Sequence, residues 1–263
     1  MIKLYVIKTE RIKLYYDRLG TGEPLVLIHG LGEVKESWFK QYELANEFDL
    51  IIPDLRGHGE NDLTEGISIK NFAKDVLDLM DELGIESAHI LGLSMGGTVA
   101  QEMYRQAPER CRSLILVSTF HFAPRLLGLW FIHYKEFRSK IFTPQQIKEM
   151  TARTCLFSWE EESLQQFKQY YRPNPEGYDR SMRECFKVDN RELLPNIKVP
   201  TLIIGGQYDP ITPVWLQLVM HKSIPNSKLV IFKNTGHVTK MEAAEKFNQT
   251  IRSFLNKQEL VEI

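Results

Sequence analysis

Short runs rich in Val, Ile and Leu alternate along the chain with longer segments whose apolar residues recur at helical spacing. A parallel sheet covered by helices on both faces produces this pattern, because strands buried on two sides lose the inside-outside alternation of a half-exposed strand. Residues 25–28, 50–52, 88–91, 114–117, 201–204 and 229–232 read as buried core strands, each ending at a Gly, Pro, Ser or Asn signal. Two earlier runs, 4–7 and 12–16, flank charged residues and predict a pair joined by a turn near 8–11. Between the core strands, residues 69–83 hold Phe72, Ala73, Val76, Leu79 and Met80 at helical spacing and stop at Gly84, a C-terminal cap signal. Residues 95–106 predict a helix that starts directly after a strand and stops before Pro108. Residues 243–255 predict a last helix with Phe247, Ile251 and Phe254 on one stripe.

The alternation breaks over residues 121–195, where helix-like segments carry aromatic residues and no buried strand appears before Val199. The chain therefore divides into a first core part at 1–120, a helical insertion at 121–195 and a second core part at 196–263. No repeat or Gly/Ser-rich linker flanks the insertion, so it is expected to sit on the core.

Composition narrows the function classes. Of 263 residues, 33 are Lys or Arg and 34 are Asp or Glu, a net charge of −1 that leaves no electrostatic excess for nucleic acid. With 43% hydrophobic and 25% charged residues, the chain is neither disordered nor fibrous. The first residues mix charge into their apolar run, and no uninterrupted apolar stretch is long enough to span a membrane. Cys111, Cys155 and Cys185 are odd in number and lack CxxC spacing, which argues against a disulfide framework or a zinc site. A soluble cytoplasmic protein with reduced, mostly buried thiols is expected, with no cofactor or metal motif.

The strongest chemical signal is Gly92-Leu93-Ser94-Met95-Gly96-Gly97, which follows the run 88–91 and opens the helix at Met95. This is the setting of a nucleophile elbow. A serine hydroxyl is a poor nucleophile at neutral pH, and a sharp strand-to-helix turn exposes it beside a base. The helix start adds unpaired N–H groups where a tetrahedral intermediate develops negative charge on oxygen.

With this elbow, the chain resembles the α/β-hydrolase superfamily, in particular its small, cap-bearing serine esterases, lactonases and carbon–carbon bond hydrolases. The resemblance spans nearly the whole chain. His29-Gly30-Leu31-Gly32 matches the family's oxyanion loop, and Asp54-Leu55-Arg56-Gly57-His58-Gly59 its next loop. Gly205-Gly206-Gln207-Tyr208-Asp209-Pro210 matches the acid loop and Gly236-His237 the histidine loop, all in the family's order. The implied fold is a mostly parallel central sheet flanked by helices, with an inserted helical cap.

The resemblance implies a Ser94, Asp209, His237 triad. Seven histidines compete for the base, and His237 is the one in a Gly-flanked loop after a late core strand. His29, His58 and His89 precede the nucleophile and are read as structural. Asp209 follows the run 201–204 and precedes Pro210, while Ser118, Thr119 and Phe120 occupy the family's other acid position, so no carboxylate competes there. The oxyanion hole is expected from the backbone N–H groups of Leu31 and Met95. Arg56 is expected to find a carboxylate partner in a structural role.

A serine rather than an aspartate at the elbow implies an acyl-enzyme. The insertion opens with apolar and aromatic residues suited to a greasy acyl or alkyl group. Phe122 and Trp130 are candidate pocket residues that can equally serve only to pack the insertion. Arg125 is either a solvated cation or a partner for a substrate carboxylate. The expected function is hydrolysis of small to medium, largely apolar carboxylic esters. The alternatives are a lactonase similar to 3-oxoadipate enol-lactonase, a carbon–carbon bond hydrolase, and a ligand receptor on the same fold.

Overall fold

Alternating side chains of one strand feed two separate cores. Leu25 and Leu27 point to one layer and Val26 and Ile28 to the other, all without solvent exposure, as the two-residue period of a strand requires. The computed structural model describes residues 5–9 and 12–257, with the side chains of Arg125 and Leu127 left aside. Leu4 and the turn residues Glu10 and Arg11 of the expected N-terminal pair lie outside the described residues.

The strands are β1 (Tyr5–Lys8), β2 (Lys13–Leu19), β3 (Glu23–Ile28), β4 (Phe48–Pro53), β5 (Ala88–Leu93), β6 (Cys111–Val117), β7 (Thr201–Gly206) and β8 (Ser227–Phe232). They form one sheet in the order β1-β2-β4-β3-β5-β6-β7-β8. The pairs β1·β2 and β2·β4 are antiparallel, and every pair from β4 through β8 is parallel. The carboxyl ends of six strands therefore lie along one edge, where open α/β sheets place their ligand crevices.

One face is covered by α1 (Ile69–Glu82) and α2 (Met95–Gln106). The hydroxyl of Ser68 accepts the Asn71 N–H at 3.0 Å to start α1, and Gly84 at φ +67° ends it in the left-handed conformation that glycine adopts without penalty. The other face is covered by a 3-10 stretch at Lys35–Asn46 and by the last helix, whose Phe247, Ile251 and Leu255 are buried. The 3-10 stretch escapes sequence reading because KESWFKQYELAN has no continuous apolar stripe, yet it buries Trp38 and Leu44.

Strand β8 departs from the buried run expected at 229–232. Leu229 and Ile231 are only half-buried, because β8 is the sheet's edge and pairs with β7 alone. Between β6 and β7 lie four helices: α3 (Arg125–Ile141), α4 (Pro144–Cys155), α5 (Glu161–Tyr170) and α6 (Pro175–Cys185). After β7 come α7 (Val214–Ser223), α8 (Thr239–Glu242) and α9 (Ala244–Leu255). Among the described residues, no helix is long and apolar enough to cross a membrane. Cys111, Cys155 and Cys185 are free and buried.

Candidate active site

Ser94 stands between β5 and α2 at φ 54° and ψ −117°, a conformation that costs a non-glycine residue about 1–3 kcal/mol. Neighbouring glycines make the turn possible. A Cβ on Gly92 would lie 2.2 Å from the Gly96 carbonyl oxygen, and one on Gly96 would lie 2.3 Å from that of Ile28. Helix α2 can thus start pressed against the sheet with Ser94 at its tip, partly open to solvent while its neighbours are buried. The Ser94 N–H donates to Val117 O at 2.9 Å, and the Thr119 hydroxyl donates to Ser94 O at 2.6 Å.

The loops after β7 and β8 bring Asp209 and His237 together, both buried. His237 Nδ1 lies 2.8 Å from Asp209 Oδ2, so the carboxylate fixes the proton on Nδ1 and leaves Nε2 as the basic nitrogen. Asp209 also accepts the Ile211 and Thr212 N–H groups at 2.8 and 3.0 Å on Oδ1, and the Thr212 hydroxyl at 2.6 Å on Oδ2. Burial alone would raise the Asp209 pKa. The charge and hydrogen bond of His237, with the bonds from Thr212, outweigh it and hold the carboxyl below its usual range. Burial alone would lower the His237 pKa, and the Asp209 carboxylate outweighs it, so the imidazole sits above its ordinary value of 6.5.

Ser94 follows β5, which β6 separates from β7, on the same sheet edge, and no hydrogen bond joins its hydroxyl to His237 among the described residues. The elbow and the acid loop are connected instead through side chains. Gln217 Nε2 donates to Thr119 O at 2.9 Å and to Thr212 O at 3.2 Å, so the residue braced on Ser94 and the residue braced on Asp209 share one amide.

The loop after β3 lies alongside Ser94. A Cβ on Gly30 would be 3.5 Å from the Ser94 Cβ. The N–H groups of Leu31 and Met95 have no acceptor among the described residues, and Met95 is the first residue of α2, where an N–H has no intrahelical partner. Glu33 holds the loop by accepting the Gly30 N–H at 3.0 Å and the Lys240 ammonium at 3.2 Å. Lys240 is buried, donates to the Ser37 hydroxyl at 2.8 Å and lies 4.0 Å from the Trp38 ring centre.

Glu242 joins the histidine loop to the inserted helices. Its Oε2 accepts the Gly236 N–H at 2.7 Å, while Oε1 accepts the Phe157 and Ser158 N–H groups at 2.7 and 3.1 Å. Beside it, the His237 N–H donates to Cys155 O at 2.7 Å.

The three histidines that precede Ser94 have structural partners. His29 Nδ1 lies 2.8 Å from Gly30 O and its Nε2 accepts the Leu55 N–H at 3.2 Å, an arrangement for a neutral ring that burial holds at a pKa of about 4. Burial, then the neighbouring His29, hold His58 at about 3. His89 bonds to Ser113 at 2.7 Å and Glu23 at 3.1 Å. Arg56 pairs with Asp75 through two contacts of 2.6 Å.

The candidate pocket residues are not gathered in this way. Trp130 is 60% exposed and stacks on Tyr134 with ring centres 5.3 Å apart. Phe122 is half-buried under the Arg191 guanidinium, 4.1 Å from its ring centre. The Arg125 side chain lies outside the described residues.

Thr212, Gln217, Glu33, Lys240 and Glu242 belong to no sequence motif, and Thr119 stands out in the sequence only as a non-carboxylate at the family's other acid position. Only Thr212 had a local signal, an Asp with a Thr three residues on, which is the spacing of a side-chain turn. Glu33 and Lys240 are 207 positions apart, and nothing local announces such a pair.

Residues 23–244 match the α/β hydrolase fold family model. The chain is 28% identical over 240 residues to 3-oxoadipate enol-lactonase 1 of Acinetobacter baylyi, covering 88% of each chain. It is 28% identical over 254 residues to a pimeloyl-[acyl-carrier protein] methyl ester esterase of Legionella pneumophila, covering 93% of this chain and all of that one. Among solved structures, a malate-bound thermophilic esterase from Thermogutta terrifontis superposes with a TM-score of 0.88 at 30% identity, covering 97% of this chain and 98% of that one. The sheet order, the elbow and these matches agree, and the chain is a hydrolase of the α/β hydrolase fold family.

Proposed function

We propose that this protein hydrolyses carboxylic esters of small to medium size through an acyl-enzyme on Ser94, with His237 as base and Asp209 as the carboxylate that orients it. The observation that carries this reading is the 2.8 Å contact between His237 Nδ1 and Asp209 Oδ2 on the sheet edge that also bears the strained Ser94. Ser94 Oγ attacks the ester carbonyl while His237 Nε2 takes its proton. The developing oxyanion accepts the Met95 and Leu31 N–H groups. Collapse expels the alkoxide, which takes the proton back from His237. Water, activated by the same nitrogen, then releases the acid. Asp209 stays ionised throughout, as its lowered pKa requires. The four helices α3 to α6 act as the cap over this edge, and the buried free thiols suit a cytoplasmic setting.

The similarity to an enol-lactonase favours a second reading, in which the same acyl-enzyme forms by opening a lactone. Both are tested by intact-mass detection of a fluorophosphonate adduct on wild type and Ser94→Ala, followed by turnover of p-nitrophenyl esters and of lactones. One adduct on wild type alone with ester turnover supports the esterase. An adduct with turnover of lactones only moves the assignment to the second reading. No adduct removes Ser94 as nucleophile.

A further inference from the structure

Glu33 is a buried carboxylate that the proposed acyl-transfer steps do not use, yet it stands beside the reaction centre. A Cβ on Gly30 would lie 3.4 Å from Glu33 Oε2 and 3.5 Å from the Ser94 Cβ, so the carboxylate and the serine flank one glycine. Glu33 Oε2 accepts the Gly30 N–H at 3.0 Å, the Lys240 ammonium at 3.2 Å and the Ser37 hydroxyl at 3.4 Å. Lys240 is held in turn by the Ser37 hydroxyl and carbonyl at 2.8 and 3.1 Å. A buried ion pair often gives no stability over apolar side chains of similar volume, which directs attention to what this pair fixes.

It fixes one peptide plane. Gly30 O accepts the Glu33 N–H at 3.2 Å and the His29 Nδ1–H at 2.8 Å, the ring proton lying on Nδ1 because Nε2 accepts the Leu55 N–H. The Gly30 carbonyl and the Leu31 N–H belong to the same trans peptide, so pinning the oxygen aims the Leu31 N–H the opposite way. Glu33 therefore closes this turn twice, with its backbone on Gly30 O and its side chain on the Gly30 N–H. Lys240 stands three residues after His237, so the ion pair also ties this loop to the histidine loop.

Charge enters as well. Burial alone would raise the Glu33 pKa, and the Lys240 charge with the Gly30 N–H outweighs it, so the carboxyl stays below its usual range. Against burial, the carboxylates of Asp209, Glu33 and Glu242 all favour the protonated His237 imidazole. The cation among these groups is Lys240, which burial pushes down against the pull of Glu33, and the nearby Cys155 thiol is pushed up by burial and stays uncharged.

We propose that Glu33 is a positioning residue of the reaction, which aims the Leu31 N–H at the developing oxyanion and, through Lys240, keeps that loop in register with His237. This inference rests on the ester-hydrolase reading and adds to it a residue that acts through the backbone of another.

The test compares two double variants, Glu33→Leu with Lys240→Met and Glu33→Gln with Lys240→Met, neither of which leaves a lone buried charge. They differ in whether an oxygen remains to accept the Gly30 N–H. The leucine pair is expected to lose on the order of 10²-fold in kcat for p-nitrophenyl butyrate, with KM within about threefold of wild type. The glutamine pair should recover at least about tenfold of that loss. In Glu33→Gln alone, the acid limb of kcat/KM should move down by roughly half a pH unit, because the imidazolium loses one of the carboxylates that favour it. Equal kcat in the two double variants, a leucine pair within about threefold of wild type, or an unmoved limb overturns the proposal. Should the leucine pair not fold, Glu33→Ala with Lys240→Met gives the same comparison. If wild type takes a fluorophosphonate on Ser94 but cleaves no ester, the rate of adduct formation replaces kcat in that comparison, since phosphonylation uses the same oxygen site. If wild type forms no adduct, the hydrolase reading has failed, and the proposal falls with it.

Discussion

Strand β5 with its elbow and helix α3 of the insertion are built on opposite terms. All six residues of β5 are buried, and the serine that follows is held in a strained backbone conformation from several sides. Helix α3 leaves Leu126, Leu129, Trp130 and Phe137 more than half exposed. Strain persists only where the surroundings over-determine it, and an exposed apolar face persists only where packing does not fix the side chains. The proposed chemistry thus stands on the part of the molecule that has least freedom to change. Helix α3 belongs to the part that has most, and relatives of similar length are named for different activities.

The contrast breaks first at Ser94. Ser94→Ala is expected to lower kcat for ester hydrolysis on the order of 10⁵-fold with an unchanged melting temperature, measured by p-nitrophenyl ester turnover and calorimetry. Ser94→Gly should be equally inactive and more stable by about 1 kcal/mol, because glycine occupies the positive φ without strain. If the glycine variant is less stable than wild type, the elbow does not store strain.

Asp209→Asn is expected to cost roughly 10³- to 10⁴-fold in kcat, since an amide no longer selects the Nδ1–H tautomer of His237. The pH profile sharpens this. His237 must be neutral to accept a proton, so kcat/KM should fall as pH drops through an apparent pKa above 6.5. In Asp209→Asn the limb should move to lower pH, because burial then acts on the imidazole without the opposing carboxylate. The sign is reversed for stability: protonated His237 stabilises the fold fully below 6.5, and that contribution is lost as pH rises through the raised value.

Glu242→Ala tests the seam between the two regions. It leaves the buried Gly236 N–H, the half-buried Ser158 N–H and the exposed Phe157 N–H without their acceptor, and is expected to cost about 1–3 kcal/mol in chemical denaturation. Its kcat should fall by about tenfold with KM little changed, because the histidine loop loses its brace rather than its chemistry. At the small end, Trp130→Ala should alter stability by no more than about 0.5 kcal/mol, since the ring is already mostly in solvent. A larger loss would mean that α3 is packed more firmly than its exposure indicates.

The core was legible in the sequence because it depends on local rules. Each buried strand needs an apolar run, and α1 needs a stripe, a cap and a stop, all within a few residues of one another. Ser94 was legible for the same reason, since a strand, a glycine-flanked serine and a helix stand consecutively. The 3-10 stretch at Lys35–Asn46 was not, because its buried positions include Lys35 and Gln41, whose partners Asp54, Lys240 and Asn248 come from distant segments. Edge position also leaves no local mark: β8 reads like a central strand and becomes an edge only through the sheet order. The insertion's aromatic residues announced apolar surface but not which side of each helix would be covered, and several face water.

The sheet order also sets a timetable. Ser94 follows the fifth strand, but Asp209 and His237 follow the last two, added at the sheet's far edge after the whole insertion has been made. At ordinary rates of ribosomal synthesis, the chain between the proposed nucleophile and its proposed base takes on the order of ten seconds to appear. On the proposed mechanism the serine has no base to take its proton throughout that interval, so a nascent chain would not acylate itself on passing metabolites, and reactivity would wait until the final strand docks.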